Sequence, residues 1–221
     1  DGSAAAYQAG SAKAYRTIEM EEAMREADTP EWFIDSCKKI KYMFPKAHAV
    51  AYVTMALRIA YFKIFYPTAY YCCYLHRNME SFNASYMCTE DVEALRAAIE
   101  EIQALDKNEL TATKADEQTI LEMLIEMNLR GVHMRPIDIY KSSAADFTID
   151  ADGYILPPIS SLPGVGKSAA EALVAARADG TFISQDDMVR RHVAKSTVET
   201  LRQAGCLNGM PETSQVSLFE L

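Results

Sequence analysis

Apolar residues recur at helical spacing along most of the chain, and prolines and glycines interrupt the pattern. Two short helices are predicted first, at Thr17–Ala27 and from Trp32 to about Tyr42. The apolar stripe of the second consists of Phe33, Cys37 and Ile40. Residues 1–16 are small and polar without such a stripe, so we expect a linker or an expression remnant there.

The longest apolar stretch runs from Phe44 to Pro67 and predicts one long helix that is largely buried. Pro45 suits the first turn of this central helix. Pro67 ends it, because the residue before a proline is pushed out of the helical region. The residues between are mostly apolar and good helix formers.

The first turn of the central helix is polar. Lys46 and His48 lie where free N–H groups and the helix dipole favour an anion, among small alanines that allow close approach to the backbone. Tyr52 follows His48 at i+4, so the imidazole and the phenol ring share a face. The pattern leaves two interpretations open: a phosphate site, and a core helix whose first turn is polar.

Three more helices are predicted after the central one. They are Thr68–Asn78, Glu90–Leu105 and Ala115–Arg130, with Gly131 as the C-cap of the last. We expect Tyr70, Tyr71 and Tyr74 in the core, because aromatic stripes at helical spacing normally pack there rather than stack on bases. The apolar stripe of the last helix consists of Ile120, Leu121, Leu124, Ile125 and Met127.

The period then changes to the alternation that is typical of β-strands. Asp146–Ile149 and Tyr154–Leu156 flank Asp150-Ala151-Asp152-Gly153, and Asp-Gly between such runs indicates a hairpin. The Asp-x-Asp letters are also those of a metal site, but they lie in the predicted turn, and we attribute them to turn chemistry. From Ile159 to Leu207 the pattern returns to helix.

Composition narrows the class of function. Nearly half of the 221 residues are apolar, so the chain is a folded protein, and no apolar window of 18 residues lacks charge, so no membrane span is predicted. The net charge is −9, which argues against a uniformly basic nucleic-acid binder. Residues 33–78 nevertheless carry seven basic residues against one acidic, a net +6, and residues 79–130 carry four against twelve, a net −8. Such asymmetry can place one face on phosphates.

The cysteines and histidines do not form a metal-binding pattern. None of the five cysteines lies in a CxxC pair, and the four histidines are scattered. We therefore predict no metal ligands in this chain, and reduced thiols of a cytoplasmic protein.

Residues 162–170, LPGVGKSAA, have the form of a helix-hairpin-helix motif, with a helix to about Ala178. The glycines let backbone amides approach a phosphate oxygen at the start of that helix, while Val165 is expected to plug between the flanking helices. Such modules hold the sugar-phosphate backbone without reading bases. The predicted duplex-binding residues are Pro163, Gly164, Val165, Gly166, Lys167 and Ser168.

A glycine-rich stretch of this kind can also belong to a P-loop or to a plain turn. A nucleotide-binding P-loop does not fit, because Ser161 stands where GxxxxGK[ST] needs its first glycine. A plain glycine turn stays open. A second copy, HVAKSTVETLRQAGCL, has Val193-Ala194-Lys195 in place of the glycine hairpin, and we expect it to support the first copy structurally rather than to bind phosphate strongly.

The last motif is Gln215-Val216-Ser217-Leu218-Phe219. In it Gln215 can supply an orienting hydrogen bond, and Leu218 and Phe219 can fill an apolar pocket of another protein. The predicted partner-binding residues are Gln215, Ser217, Leu218 and Phe219.

The central-helix string FPKAHAVAYVTMALRIAYFKIFYP, preceded by EWFIDSCKKIKYM, resembles the fingers signature of the PolC-type alpha subunit of bacterial DNA polymerase III. The glycine hairpin and the tail follow in the order expected for the C-terminal part of that family. The tail itself resembles the short peptide by which bacterial replication proteins hold the sliding clamp. The resemblance covers the chain from about Thr17 to Phe219.

The resemblance implies that the full-length chain is a DNA-directed DNA polymerase of the bacterial cytoplasm, acting at the replication fork. Its partners would be primer-template duplex DNA, dNTP, the sliding clamp and the remainder of the polymerase chain. Lys46 and His48 would face the triphosphate, Tyr52 the base or sugar, and Arg58 is a further candidate three turns on. Mg²⁺ would be bound by the catalytic palm, which this sequence lacks, so no catalytic residue is assigned and the chain alone should be inactive.

The predicted fold class is mainly α. Its parts are a linker at 1–16, a helical fingers region at 17–130, a connecting segment with short strands at 131–158, a tandem helix-hairpin-helix region that binds duplex DNA at 159–210, and an extended clamp-binding tail at 211–221. The alternative function is a non-enzymatic helix-hairpin-helix adaptor that binds DNA and the sliding clamp.

Overall fold

The computed structural model describes residues 18–39, 46–106 and 109–214. These residues are mainly helical with one two-stranded sheet, which confirms the predicted fold class. The chain divides into two compact units whose boundary lies between Ile59 and Ala60. No helix among the described residues is long and apolar enough to cross a lipid bilayer. The five predicted regions stay predictions.

The first unit contains helices α1 (Ile18–Glu26) and α2 (Glu31–Lys39), which pack on each other. Both confirm predicted helices. The buried residues of α2 are Ile34 and Cys37. Of the predicted stripe, Cys37 is therefore buried, whereas Phe33 is only half-buried and its neighbour Ile34 is buried instead. Ile40 lies outside the described residues. Arg25 joins the two helices through hydrogen bonds of 3.1 and 2.8 Å to the carboxylate of Glu31.

Helix α3 (Lys46–Phe65) is the central helix, and its twenty residues confirm the predicted length. The prediction that it is largely buried is wrong. Its described side chains, from Ala47 to Phe65, are exposed, except that of Lys63, which is half-buried. Apolar residues lie on every side of the helix, a composition normally found in helices that are covered all round. The described residues do not supply that cover.

The second unit begins with the last residues of α3, Ala60–Phe65, and continues with four helices, α4 (Pro67–Arg77), α5 (Ala84–Met87), α6 (Val92–Gln103) and α7 (Ala112–Leu129). The three longer ones confirm the predicted helices. Tyr71 is fully buried while Tyr70 and Tyr74 pack against the core, as predicted. Gly131 ends α7 with φ +75°, and the N–H of Val132 donates to the carbonyl of Met127 at 3.1 Å, so the predicted C-cap is confirmed.

The predicted hairpin is present as strands β1 (Thr148–Ile149) and β2 (Ile155–Leu156), paired antiparallel with Ile149 opposite Ile155. One carboxylate oxygen of Asp150 accepts the N–H groups of Asp152 and Tyr154, both at 2.9 Å. The turn interpretation of these aspartates is therefore confirmed.

The rest of the unit is built from 3-10 turns and short helices. In chain order they are a 3-10 turn at Ile159–Ser161, helix α8 (Lys167–Ala176), a 3-10 turn at Arg177–Asp179, helix α9 (Gln185–Arg190) and helix α10 (Lys195–Gln203). Their apolar side chains join the core of α4 to α7. The larger buried members include Ile159, Val165, Leu173, Met188, Val193, Leu201 and Leu207.

Candidate nucleic-acid interface

The first hairpin lies between the 3-10 turn at Ile159–Ser161 and helix α8. Gly164 has φ +87°, in the left-handed region that other residues rarely adopt. Val165 is buried at 3% exposure, and its N–H donates to the carbonyl of Leu162 at 3.0 Å. The prediction that Val165 plugs the core is confirmed, and the residues on either side of it are consequently turned outward.

Gly166 is not required by the fold. Its φ of −73° and ψ of 163° are open to any residue, and a Cβ there would meet no atom within 4 Å. Ala194 occupies the corresponding place in the second hairpin with φ −63° and ψ 139°. The lack of a side chain at Gly166 is therefore not needed to avoid a steric clash within the protein. Its effect is to leave the backbone accessible to a ligand.

The helix that follows Gly166 is not capped by a side chain. In contrast, Asp91, Thr111 and Ser184 cap other helices of this unit through their side chains. The N–H groups of a first helical turn have no intrahelical partner, and together with the helix dipole they attract anions. The start of α8 thus presents hydrogen-bond donors to whatever lies outside it.

Two polar side chains stand at the same end of α8. Lys167 and Ser168 are both exposed. The ammonium of Lys167 lies 4.0 Å from the carboxylate of Glu171, and ion pairs between exposed side chains contribute little. Lys167 can therefore swing towards an anion at the hairpin at little cost.

A groove of about 630 Å³ runs beside the hairpin. One wall is formed by residues 160–167, and the other by Met79–Asn83 with Glu117. Glu117 is buried, but its carboxylate accepts hydrogen bonds from Tyr86 Oη at 3.0 Å and Lys114 Nζ at 2.6 Å. Lys114 therefore offsets the charge of the Glu117 carboxylate, while Glu80 on the same wall is exposed to solvent, which screens its charge.

The second hairpin repeats the backbone of the first without its glycines. His192 has φ +70°, like Gly164, and Val193 is buried at 2% exposure, like Val165. No side chain caps α10, which begins after Ala194. The sequence predicted the helix but not the left-handed histidine. The available signal was the parallel between GVGKS and HVAKS.

Three of the candidate nucleotide residues, His48, Tyr52 and Arg58, are exposed on α3. The rings of His48 and Tyr52 are 4.4 Å apart between centroids and nearly edge to face, which confirms that they share a face. With Ala49 and Val53 they line a pocket of about 450 Å³. Lys46 begins the helix.

Arg58 is separated from this pocket. At 1.5 Å per residue it lies about 15 Å further along the helix axis than His48. Its guanidinium is 4.0 Å from the sulfur of Met55, on the same helix. The structure therefore brings His48 and Tyr52 together but not Arg58.

The end of α3 is held by a charged cluster that the sequence did not predict. Lys63 Nζ donates to Glu126 Oε2 at 2.7 Å, and Arg130 Nε donates to the other carboxylate oxygen at 2.8 Å. Lys63 also lies 5.3 Å above the ring of Tyr70. Partial burial opposes the shift, but the two cations hold the pKa of Glu126 below its usual range. No spacing along the sequence marks a pair that is 63 residues apart.

The described residues offer no metal site. No group of three histidine, cysteine, aspartate or glutamate side chains in that part of the chain could hold a metal ion. Asp150 and Asp152 are both bound by Arg135, at 2.7 and 2.8 Å. Their carboxylates therefore do not fit the role of metal ligands.

The five-residue tail motif lies outside the described residues. The described chain ends at Ser214, one residue before Gln215. The assignments of Gln215, Ser217, Leu218 and Phe219 therefore stay predictions.

Two hairpins of the same backbone, each followed by an uncapped helix, are the arrangement expected of a helix-hairpin-helix region. Residues 131–216 match the family described as helix-hairpin-helix motif. Among curated relatives, a PolC-type DNA polymerase III of Clostridium perfringens is 48% identical over 91% of this chain. Proteins of the same description from Caldanaerobacter subterraneus and Bacillus subtilis are 47% and 44% identical over 92%.

Over about nine tenths of its length the chain is similar to a segment of PolC-type DNA polymerase III, which confirms the resemblance carried by the central helix. It spans about 14% of the length of these relatives. It therefore corresponds to a segment of such a protein.

Proposed function

We propose that this chain is the part of a replicative DNA-directed DNA polymerase that grips the primer-template duplex and positions the incoming dNTP. The observation that carries the proposal is the open hairpin at Gly166, found in a chain of PolC-type relatives. The absent side chain, the uncapped first turn of α8 and the exposed Lys167 all favour a phosphate at one place.

In the proposed complex, the sugar-phosphate backbone lies along the groove beside residues 160–167. Backbone amides at the start of α8 donate to a phosphate oxygen, and Lys167 and Ser168 add a charge and a hydroxyl. Phosphates carry no base identity, so binding is independent of sequence. Residues 159–214 contain six basic and six acidic residues. Affinity therefore arises from local donors, and its salt dependence is that of a few phosphate contacts.

Nucleotide positioning is assigned to the start of α3. Lys46, His48 and the first-turn amides face the triphosphate, and Tyr52, whose ring packs beside that of His48, faces the base or sugar. Arg58 stays the weaker candidate for nucleotide binding, because it lies about 15 Å further along the axis than His48. The Lys63–Glu126–Arg130 cluster holds the far end of the helix.

The exposed apolar surface of α3 supports a polymerase segment over a free-standing adaptor. Isolated apolar side chains are common on surfaces, but a twenty-residue helix with exposed apolar residues on every side requires a covering partner. We assign that cover to the remainder of the polymerase chain in the bacterial cytoplasm, which also supplies the palm and its Mg²⁺. A non-enzymatic adaptor would leave the surface exposed to water.

The tail motif at 215–219 is assigned to the sliding clamp. Burying Leu218 and Phe219 supplies a few kcal/mol, enough for about micromolar attachment after ordering costs. Such attachment is useful because a simultaneous grip on DNA makes the clamp contact effectively intramolecular.

The proposal is tested with the purified chain and a fluorescently labelled primer-template. We expect sequence-independent binding that weakens as salt rises, and no nucleotide incorporation with Mg²⁺ present. Calorimetry with purified sliding clamp should show binding that is lost in Leu218→Ala/Phe219→Ala, while that variant binds bare DNA like the parent chain. Primer extension by the chain alone, or strong sequence preference on duplexes, would show that the assignment of its parts is wrong.

A further inference from the structure

Helix α9 binds the segment that leads to the tail motif. The N–H of Gln185 donates to the carbonyl of Pro211 at 2.9 Å, and the N–H of Asp186 donates to the carbonyl of Glu212 at 3.0 Å. Both donors belong to the first turn of the helix, where no intrahelical acceptor exists. Backbone carbonyls of the following segment thus complete the start of α9.

Side chains of the same helix extend this contact in both directions. Gln185 Nε2 donates to the carbonyl of Met210 at 3.5 Å, and Arg190 Nη2 donates to Ser214 Oγ at 3.2 Å. The contacts therefore follow residues 210–214 from one end to the other. Each is modest alone, but together they define one path for the chain.

This anchor shortens the free path before the tail motif. Leu207 is the last buried residue of the described chain, and seven residues lie between it and Gln215, a span of eight residue steps. A free segment of that length reaches about 28 Å when fully extended and about 15 Å as a root-mean-square coil. With residues 211–214 held on α9, Gln215 instead follows directly from a fixed point beside the second hairpin at 191–194.

We propose that α9 and residues 210–214 form an anchor that fixes where the clamp-binding motif leaves the helix-hairpin-helix region. The inference rests on the clamp binding proposed above. The anchor does not contact the clamp. Arg190 and Ser214 are positioning residues, which keep the motif at a constant distance from the duplex so that clamp and DNA are held together.

Two insertions of the same eight Gly/Ser residues test the anchor in the full chain. One is placed between Gly209 and Met210, upstream of the anchor, and the other between Ser214 and Gln215, downstream of it. The measurement is the affinity for purified sliding clamp assembled on nicked circular DNA, divided by the affinity for the free clamp. Circular dichroism controls for folding.

An anchored segment makes the two insertions unequal. The upstream insertion should leave the affinity ratio unchanged, because the free part of the tail still begins at Ser214. The downstream insertion should lower the ratio by more than about threefold, because it lengthens that free part. Without an anchor, both insertions lengthen one free linker from about seven to fifteen residues and lower the ratio equally, by about threefold. Equal effects overturn the proposal.

Side-chain variants give an independent check on the same ratio. Arg190→Ala/Ser214→Ala should lower the affinity ratio, as the downstream insertion does. Arg190→Lys/Ser214→Thr should keep the ratio near that of the parent chain. A ratio unaffected by the alanine pair overturns the role of these two residues. If the parent chain does not bind the free clamp at all, the proposed clamp binding fails instead, and the two failures are thereby distinguished.

Discussion

Replacing Gly166 separates a ligand-binding glycine from a structural one. A methyl group at Gly166 meets no atom within 4 Å, whereas any side chain at Gly164 must adopt φ +87°. We therefore expect Gly166→Ala to fold normally and to lose DNA affinity. Gly164→Ala should instead lose stability, because the left-handed region costs a non-glycine residue about 1–2 kcal/mol.

The magnitudes follow from the local structure. At the N-cap position alanine is less favourable than glycine by about 0.5–1 kcal/mol, while reduced freedom of the unfolded chain returns about 0.4–1 kcal/mol, so the stability of Gly166→Ala should barely change. The methyl group would hold a phosphate away from the amides of α8. Loss of that charge-assisted contact set costs about 1–3 kcal/mol, or about 5- to 150-fold in affinity. Gly166→Val should lose at least as much.

The assay is fluorescence anisotropy with labelled duplex at fixed salt, with urea unfolding as the stability measurement. Ala194→Gly is the matched control, since it removes a methyl group from the corresponding place in the second hairpin. That variant should bind DNA no more weakly than the parent chain. Parental affinity in both Gly166→Ala and Gly166→Val would refute a phosphate at this backbone and leave the hairpin as a plain turn.

Three further outcomes are expected. In a double-mutant cycle, Lys63→Ala and Glu126→Ala should couple by about 0.5–1 kcal/mol in urea unfolding, as partly exposed pairs do, and zero coupling would remove this pair from the support of α3. His192→Gly should be more stable than His192→Ala by about 1 kcal/mol, because only glycine relieves φ +70°; equal stabilities would argue against the left-handed turn. Burial alone would raise the pKa of Asp187, but hydrogen bonds from the N–H of Ile183 and from Arg191 hold that pKa below its usual range. The ionised Asp187 therefore stabilises the fold above the pKa that it has in the unfolded chain. This stabilisation is lost as the pH falls through the lower pKa of the folded state. The drop in melting temperature between pH 5 and pH 3 should be smaller in Asp187→Asn, and an unchanged drop would assign the acid sensitivity elsewhere.

Local patterns predicted most of the fold because each helix carries its own signals. The apolar period located α4, α6 and α7, and the Asp-Gly turn located the hairpin between β1 and β2. The exposure of α3 could not be predicted from the sequence. Its apolar composition indicates that other residues should pack on it, but not whether those residues belong to this chain. The period of α3 also lacks a single inward face.

The candidate site shows the same division between local and tertiary information. The left-handed conformation of Gly164 and the burial of Val165 can be predicted from the motif alone, because adjacent residues determine the geometry of the turn. The left-handed His192 and the Lys63–Glu126 pair required the structure: the first is a strained conformation that no propensity favours strongly, and the second joins residues 63 positions apart. The anchoring of residues 210–214 on α9 is equally non-local.

In the proposed polymerase, one segment holds the duplex at the hairpin and the triphosphate at the start of α3. The most direct test measures two constants in the intact polymerase that carries this segment: the Kd for primer-template and the KM for each of the four dNTPs. Gly166→Val should raise the Kd and leave the KM values near parental, whereas Lys46→Ala should raise all four KM values by a similar factor and leave the Kd near parental. A Lys46→Ala defect confined to one base, or a Gly166→Val polymerase with parental Kd, would contradict the account.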